Sequence, residues 1–513
     1  MTYELPKGKY LVVGLGITGE VLIDFLLERG MTVAAYEELS DENFRKTKEK
    51  CAGKNGIEFY FGALPAKVFE NLKGVFVSPG VPLTRPWNDE AKKRSIPVIG
   101  ELELASWYLQ GKIIAVTGTN GKSTTVSLLH EILKTGGFSS SLKGNIGSPL
   151  LTAVGEPPRV FCMAPQKLDA PITSDSRCLA AGGNRQKYYV VEASSYQLET
   201  IGHFHPVISV VLNVTADHLE RYADMEAYAG AKARIFMNQI SGDFFIYNAD
   251  DMYCARMARE APCKAIPFSL VNPSALLRAG RFDEGGFIDG DEIVIRTNTL
   301  PPSPLPSREG VRGRGSSIKE MRFSLSECSL QGLHNQENML AAILAASIVG
   351  VDSAAITSAL KDFKSLRHRL EAVGTLRGIR FYDDSKGTNV GAVVMSLASF
   401  AGGAATEKNV ILLLGGRDKG GDYGPLIPLI RGKVKAVIVL GEAREKIARA
   451  LEGVKPVHRT TTMKEAVEKS FEIGSAGDVV LLSPACSSFD QYKNYAERGD
   501  DFKKWVFHFG EKK

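Results

Sequence analysis

The sequence predicts an α/β protein of three domains, the central one carrying a mainly parallel sheet, and three observations carry that prediction. First, 513 residues exceed what a single core ordinarily holds and suit about three domains. Second, short apolar runs closed by Gly or Pro alternate with helical stretches along the chain, the pattern of parallel strands with helices on their faces. Third, two of the strand-to-helix junctions are glycine-rich, the form taken by helix N-termini that hold anions.

Taken in order, residues 9–16 (KYLVVGLG) read as a strand, 18–30 as an amphipathic helix and 31–37 as a second strand. Strands at 74–80 and 96–100 complete a first unit, residues 1–107. A second unit, 108–365, opens as strand, glycine loop and helix in KIIAVTGTNGKSTTVSLLHEILKTGG. It continues with buried strands at 187–195 and 206–215 and a helix at 332–350. The third unit, 366–513, repeats the style with strands at 409–416, 435–441 and 478–485. Two stretches break the rhythm: 157–186 has no clear period, and 300–317 (LPPSPLPSREGVRGRGSS) is low in complexity. Both are expected to be disordered surface insertions, the basic one a solvated loop rather than a nucleic-acid arm.

Composition removes several function classes. Basic residues number 63 against 58 acidic, with no dense Lys/Arg stripe, so no nucleic-acid partner is expected. The seven cysteines are scattered, without CxxC or zinc spacing, which suits a reducing cytosol. No signal-peptide pattern opens the chain, and the longest apolar run, 338–351, falls short of the ~20 residues a bilayer span needs. The expectation is a cytoplasmic protein with no membrane partner, and a monomer by default.

Three clusters carry chemistry. In VVGLGITGEVL, Gly14, Gly16 and Gly19 satisfy G-x-G-x-x-G between a strand and a helix, and Glu37 and Glu38 end the next strand. Three readings stay open there: a nicotinamide-nucleotide site, a tight turn with no ligand, or a site for another pyrophosphate such as that of a UDP-sugar. The second cluster, AVTGTNGKST (115–124), ends like a phosphate loop, yet the full G-x-x-x-x-G-K-[ST] pattern would need glycine at Val116. Gly118 and Gly121 still let the backbone N–H groups curl around a phosphate, Lys122 adds positive charge, and Ser123 or Thr124 can hold Mg²⁺. The third cluster is Glu192, Asp217 and His218 at strand ends with Lys232 on the following helix. Singly these are ordinary residues; together they suggest a metal site at the carboxyl ends of the strands, where open α/β sheets bind ligands.

Read in order, TGTNGKST, GNIG (144–147), VEASSYQLE (191–199), NVTADHLERY (213–222) and GLHNQEN (332–338) resemble central-domain motifs of the Mur ligases, whose own phosphate loop has the short TGTNGK[ST] form. In the third unit, FYDDSKGTNVGA (381–392), LLLGGRDKGGDY (412–423) and LLSPACSSFDQYKNYAERGDDF (481–502) resemble the branch that adds D-glutamate. The DNPR segment of the branch that adds a diamino acid is absent. The resemblance spans nearly the whole chain apart from the two insertions. It implies Rossmann-like first and third domains, the first binding UDP, around a central ATPase domain. It also implies a two-step reaction: ATP phosphorylates the carboxylate of UDP-N-acetylmuramoyl-L-alanine, and the amine of D-glutamate displaces phosphate. Such a transfer between anions needs positive charge more than covalent help.

Residue by residue, the resemblance implies catalysis by Lys122, Glu192, His218 and Lys232. Two Mg²⁺ would be held, one by Ser123 and Glu192, the other by His218 with Lys232 after its carbamylation by CO₂. ATP would meet Gly118, Thr119, Asn120, Gly121, Lys122, Ser123, Thr124, Asn335, Asn338, Arg369 and Asp384. The UDP-substrate would meet Ile17, Thr18, Glu37, Ser78, Gly80, Asn145 and His218, and D-glutamate would meet Lys386, Thr388, Lys419, Ser488, Phe489 and Tyr495. One departure stands out: Glu37-Glu38-Leu39 occupies the place of an Asp-Thr-Arg-like segment, keeping an acceptor for the uracil N–H but losing the nearby Arg. Three alternatives remain. A folylpolyglutamate synthase should lack the UDP-binding domain and DSKGTN, an oxidoreductase leaves TGTNGKST unexplained, and a phosphate-loop switch would need no D-glutamate pocket.

Overall fold

The computed structural model describes residues 4–38, 45–50, 53–155, 186–218, 221–271, 284–298, 318–330, 332–400, 409–418 and 420–510. Among these residues lie three sheets, of five, nine and six strands. Both irregular stretches, 157–186 and 300–317, fall outside the described residues but for Gln186, as does Lys419.

The first sheet runs Ile57–Phe61, Thr32–Glu37, Lys9–Val13, Leu72–Val77, Val98–Gly100, all parallel. Its central strands are buried on both faces, which is why they read as continuous apolar runs rather than alternating ones. Strand order reverses at Lys9–Val13, and the Gly14–Gly16 loop leaves the sheet at that switch point. The glycines are required there: Gly14 has φ +88°, and a Cβ on Gly19 would lie 2.0 Å from the Gly14 carbonyl oxygen.

The second sheet is ordered Lys319–Ser324, Glu292–Thr297, Gly285–Asp289, Lys264–Ser269, Phe244–Asn248, Ile208–Val211, Lys112–Thr117, Lys187–Glu192, Ser139–Gly144. It is parallel except at one end, where Glu292–Thr297 pairs antiparallel with both neighbours. The third sheet runs Glu371–Leu376, Ile379–Asp383, Val479–Leu482, Val410–Gly415, Val434–Leu440, Val457–Arg459, antiparallel only at its first pair. The strands read from sequence overrun their carboxyl ends: 9–16 contracts to Lys9–Val13 and 206–215 to Ile208–Val211. The surplus residues are the loops that build the sites. No described helix is long and apolar enough to cross a membrane.

The first two sheets share one apolar core. Leu22 and Phe25 of helix Ile17–Glu28 and Leu102 and Leu104 of helix Glu101–Tyr108 cluster with Leu150, Leu151, Tyr189 and Phe204. The Glu103 carboxylate pins the same joint, accepting from the backbone N–H groups of Gly202, His203 and Phe204 and from Trp107 Nε1, each at 2.8 Å. The third sheet has separate cores on its two faces.

Candidate active site

Strand Lys112–Thr117 ends in the loop 118–121, and helix Lys122–Thr135 starts at its far side. Gly118 and Gly121 carry φ of +153° and +86°, and a Cβ on Gly121 would meet Asn338 Oδ1 at 2.2 Å. Asn213, at the end of the neighbouring strand, braces the loop: its carbonyl accepts from Thr119 N at 2.9 Å and its Oδ1 from Asn120 N at 2.8 Å. Lys122 Nζ donates to the Gly118 and Thr119 carbonyls, both at 2.8 Å. The loop is thus preformed, with its lysine folded over it.

Around it lies a cleft of about 880 Å³. Glu192 ends its strand beside the loop, 2% exposed. Asn145 Nδ2 donates to its Oε1 at 2.8 Å, whereas its Oε2 is buried without a hydrogen-bond partner among the described residues. Burial pushes this carboxyl up, but Lys122, Lys386 and the Asn145 bond outweigh it and hold the group below the usual carboxylate range. A buried anion with an orphaned oxygen beside the Ser123 hydroxyl suits a divalent cation.

His218 has φ +58°, and its Nδ1 lies 2.6 Å from Tyr196 Oη. Lys232, 1% exposed in helix Met225–Ala233, donates to the Gly118 carbonyl at 2.9 Å and lies 4.4 Å above the Tyr228 ring. Burial, with Lys122 close by, drives its ammonium well below the ordinary lysine range, which favours the neutral amine. It does not line the cleft in this structure.

The third sheet closes the cleft from the opposite side. Lys386 Nζ and Arg369 Nη2 reach Ser123 Oγ, at 2.9 and 3.1 Å. Burial and the Arg369 charge lower Lys386 to about 7, against an upward pull from Glu192. Arg369 sits between two residues of positive φ, His368 (+63°) and Leu370 (+44°), and its Nε is buried without a partner among the described residues. Asn389 Nδ2 spans the cleft to Asn120 Oδ1 (3.3 Å) and Asp217 Oδ2 (3.0 Å).

Family models match this chain along its length. "Mur ligase MurD-like, N-terminal domain" matches residues 8–100, "Mur ligase middle domain" 116–346, and "Mur ligase, glutamate ligase domain" 368–486. The UDP-N-acetylmuramoylalanine–D-glutamate ligase of Acidobacterium capsulatum is 39% identical over 503 residues, covering 98% of this chain and 97% of its own. The chain belongs to the Mur ligase family. The enzyme of the same name from Syntrophotalea carbinolica is 37% identical, covering 98% of each chain. Among solved structures, the pseudomurein peptide ligase type C of Methanothermus fervidus superposes with a TM-score of 0.55 at 15% identity over 98% of this chain and 99% of its own. The UDP-N-acetylmuramate-alanine ligase of Thermotoga maritima gives 0.54 at 18% identity over 98% and 100%. This chain has the three-domain Mur ligase fold, α/β with mainly parallel sheets.

In this Mur ligase the cleft gathers Thr119 to Thr124, Asn145, Glu192, His218, Asn335, Asn338, Arg369, Asp384, Lys386, Thr388 and Tyr495. Asp384 enters it already engaged, accepting from Ser396 Oγ (2.6 Å) and Ser483 Oγ (2.7 Å), with burial raising it to about 6. Gly118, which opens the loop, Ser488, buried, and Phe489, 60% exposed, are not among the lining residues. Ile17, Thr18, Glu37, Ser78 and Gly80 sit apart, around the first sheet's glycine loop. Glu37 Oε2 accepts from Leu15 N at 3.0 Å, Ser78 Oγ donates to the Gly14 carbonyl at 2.8 Å, and Ile17 is 75% exposed. The guanidinium missing after the second strand has a counterpart from elsewhere: Arg85 Nε lies 3.2 Å from Glu38 Oε2. Asn389, Asn213 and Tyr196 were not singled out from sequence. Asn389 ends the DSKGTN segment, which was the available signal; Asn213 and Tyr196 looked like ordinary motif residues.

Proposed function

We propose that this chain ligates D-glutamate to UDP-N-acetylmuramoyl-L-alanine, with ATP converted to ADP and phosphate, as a cytoplasmic step of peptidoglycan precursor synthesis. The observation that carries this reading is the shared cleft: Lys386 and Thr388 of the third sheet stand in one cavity with Lys122 and Ser123 of the phosphate loop. An acyl phosphate made at that loop would meet an amino acid held from the opposite wall without crossing solvent. The full-length relatives bearing the D-glutamate ligase name support the choice of amino acid.

In this reading the units are residues 1–107, 108–365 and 366–513, and the protein works as a monomer. The glycine loop with Ile17, Thr18, Glu37, Ser78 and Gly80 takes the uridine diphosphate, while Asn145 and His218 take the far end of the substrate. The phosphate loop, Asn335, Asn338, Arg369 and Asp384 take ATP, and Asp384, whose Oδ2 accepts from two serines, also supports the Arg369 segment by accepting from Leu370 N through Oδ1. Lys122 swings from its own loop carbonyls to the phosphates and offsets their growing charge. Ser123 and Glu192 would hold one Mg²⁺, and His218 with carbamylated Lys232 a second; these ions neutralise phosphate charge when bound. Burial that lowers the Lys232 ammonium favours the amine, the form that adds CO₂. Lys386, Thr388, Lys419, Ser488, Phe489 and Tyr495 bind D-glutamate, with each lysine a point charge for a carboxylate.

The test is phosphate release from ATP with Mg²⁺ and UDP-N-acetylmuramoyl-L-alanine, adding D-glutamate, L-glutamate, L-lysine or nothing. Release with D-glutamate alone is expected, lost in Lys232→Ala and partly restored by short-chain carboxylates. Release with another amino acid would overturn the assignment of the third-domain pocket.

A further inference from the structure

Tyr196 belongs to none of the roles above, yet its hydroxyl makes the shortest contact to His218. Ser194 starts the one-turn helix Ser195–Leu198 with a reciprocal cap: its hydroxyl accepts from Gln197 N, and its own N–H donates to Gln197 Oε1. That cap fixes the Tyr196 backbone. The side chain then reaches His218, with Oη 2.6 Å from Nδ1 and the ring centroids 4.8 Å apart. His218 sits in the left-handed region at φ +58°, on a segment without regular structure, so its ring needs support from outside its own backbone.

Tyr196 is itself held. The Arg221 guanidinium lies 4.1 Å over its ring. Arg221 in turn is gripped by Glu199, with Nε to Oε1 at 3.0 Å and Nη2 to Oε2 at 2.5 Å, and Tyr222 Oη donates to the same carboxylate at 2.6 Å. The guanidinium also donates to the Pro79 and Val81 carbonyls of the first domain, each at 3.4 Å. A continuous stack therefore runs from the loop beside the first-domain glycine site, through Arg221 and Tyr196, to the imidazole in the cleft.

We propose that Tyr196 is a positioning residue for His218. Its hydroxyl accepts the Nδ1–H, which leaves the lone pair on Nε2, the nitrogen 3.6 Å from Asp217 Oδ2, and Arg221 with Glu199 locks the tyrosine ring in place. An imidazole can offer a lone pair at one nitrogen only when the other carries the proton, and the partner of that proton sets which tautomer forms. The proposal deepens the reading in which His218 offers Nε2 to a cation, and it rests on that reading.

The experiment uses the full chain labelled with ¹⁵N-histidine, the His218 signals being assigned by their loss in His218→Gln. Nitrogen shifts and two-bond couplings distinguish a protonated ring nitrogen from a bare one. The wild-type protein should show the proton on Nδ1. In Tyr196→Phe the two tautomers should mix, and Mn²⁺ affinity at one site, read by electron paramagnetic resonance with a non-hydrolysable ATP analogue, should fall about ten- to a hundredfold. A proton on Nε2 in the wild type, which needs no variant to observe, would overturn the proposal. So would a Tyr196→Phe protein with unchanged tautomer and unchanged Mn²⁺ affinity. Neither readout depends on ligation, so a failed amino-acid assay and a failed tautomer assignment remain distinct results.

Discussion

The two joints of this molecule are made of different materials. Between the first and second domains, leucines and aromatics from both sides form one core, and Glu103 collects three backbone N–H donors across the seam. Between the second and third, the described residues form separate apolar clusters, single polar bonds cross the cleft from Lys386 and Arg369 to Ser123 and from Asn389 to Asn120 and Asp217, and helix Leu333–Val349 meets helix Val390–Ser399 where His334 bonds Ser399. Apolar burial at ~25 cal/mol per Å² is lost all at once when such a joint opens, whereas polar contacts in a wet cleft exchange with water at little net change. The chemistry of the seams favours motion at the second, where the proposed substrates D-glutamate and ATP would enter.

The largest effect should come from the second joint. Lys386→Met removes a charge at the cleft wall proposed to bind D-glutamate, and kcat/KM for D-glutamate is expected to fall about a thousandfold, some 4 kcal/mol. The thermal midpoint should hold or rise, because an apolar side chain replaces a desolvated ammonium. A variant that kept its D-glutamate kinetics would break the reading of this joint as the amino-acid wall. The first joint should answer in the opposite currency, stability rather than kinetics. Glu103→Ala leaves buried N–H groups without an acceptor and should cost about 3 kcal/mol in urea unfolding. Nucleotide affinity of the folded fraction should stay near wild type.

A third comparison is in pH. Burial raises the Glu101 carboxyl, at the first joint, from 4.5 to about 7, against bonds from Leu151 and Leu150 and the charge of Lys143. With its folded value above its unfolded one, the native state binds the extra proton between those limits. Stability therefore falls as pH rises from about 4.5 to 7 and stays level above. Glu101→Gln should flatten that decline, by at most ~1.4 kcal/mol per pH unit, in unfolding curves taken at pH 5 and 8. Parallel curves for variant and wild type would show that this carboxyl is not raised in the native state.

Much of this contrast was legible before any coordinates. Strand Lys112–Thr117 and its glycine loop announced themselves because buried parallel strands are continuous apolar runs and because the loop's positive φ values call for glycine. Glu192 and His218 stand out in the sequence because sites gather at the carboxyl ends of such strands. What stayed hidden was non-local. Nothing near Glu38 foretells that Arg85, far along the chain, would face it, and in KEMRFS the alternation of buried Met321 and Phe323 with exposed Glu320 and Arg322 is too short to stand out after a low-complexity stretch. Ser488 and Phe489 show the converse: a motif gives neighbours in sequence, and of that segment Ala485 and Tyr495 line the cleft whereas these two are not among its lining residues.

The smallest effect separates the joints most cleanly. Asn389 both caps helix Val390–Ser399, its Oδ1 accepting from Ala392 N at 2.8 Å, and bridges the cleft through Nδ2. Serine keeps the cap and is too short for the bridge, so Asn389→Ser isolates the second function while Asn389→Ala loses both. With dye pairs across each joint, Asn389→Ser should lower the closed fraction at the second joint by about fivefold, near 1 kcal/mol, and leave the first-joint signal unchanged. Its melting temperature should match wild type, while Asn389→Ala should fall by the ~1 kcal/mol of a missing cap. Equal distance changes at both joints on adding ATP and substrate would mean that the apolar seam opens too, and that the difference in material does not govern which domain moves.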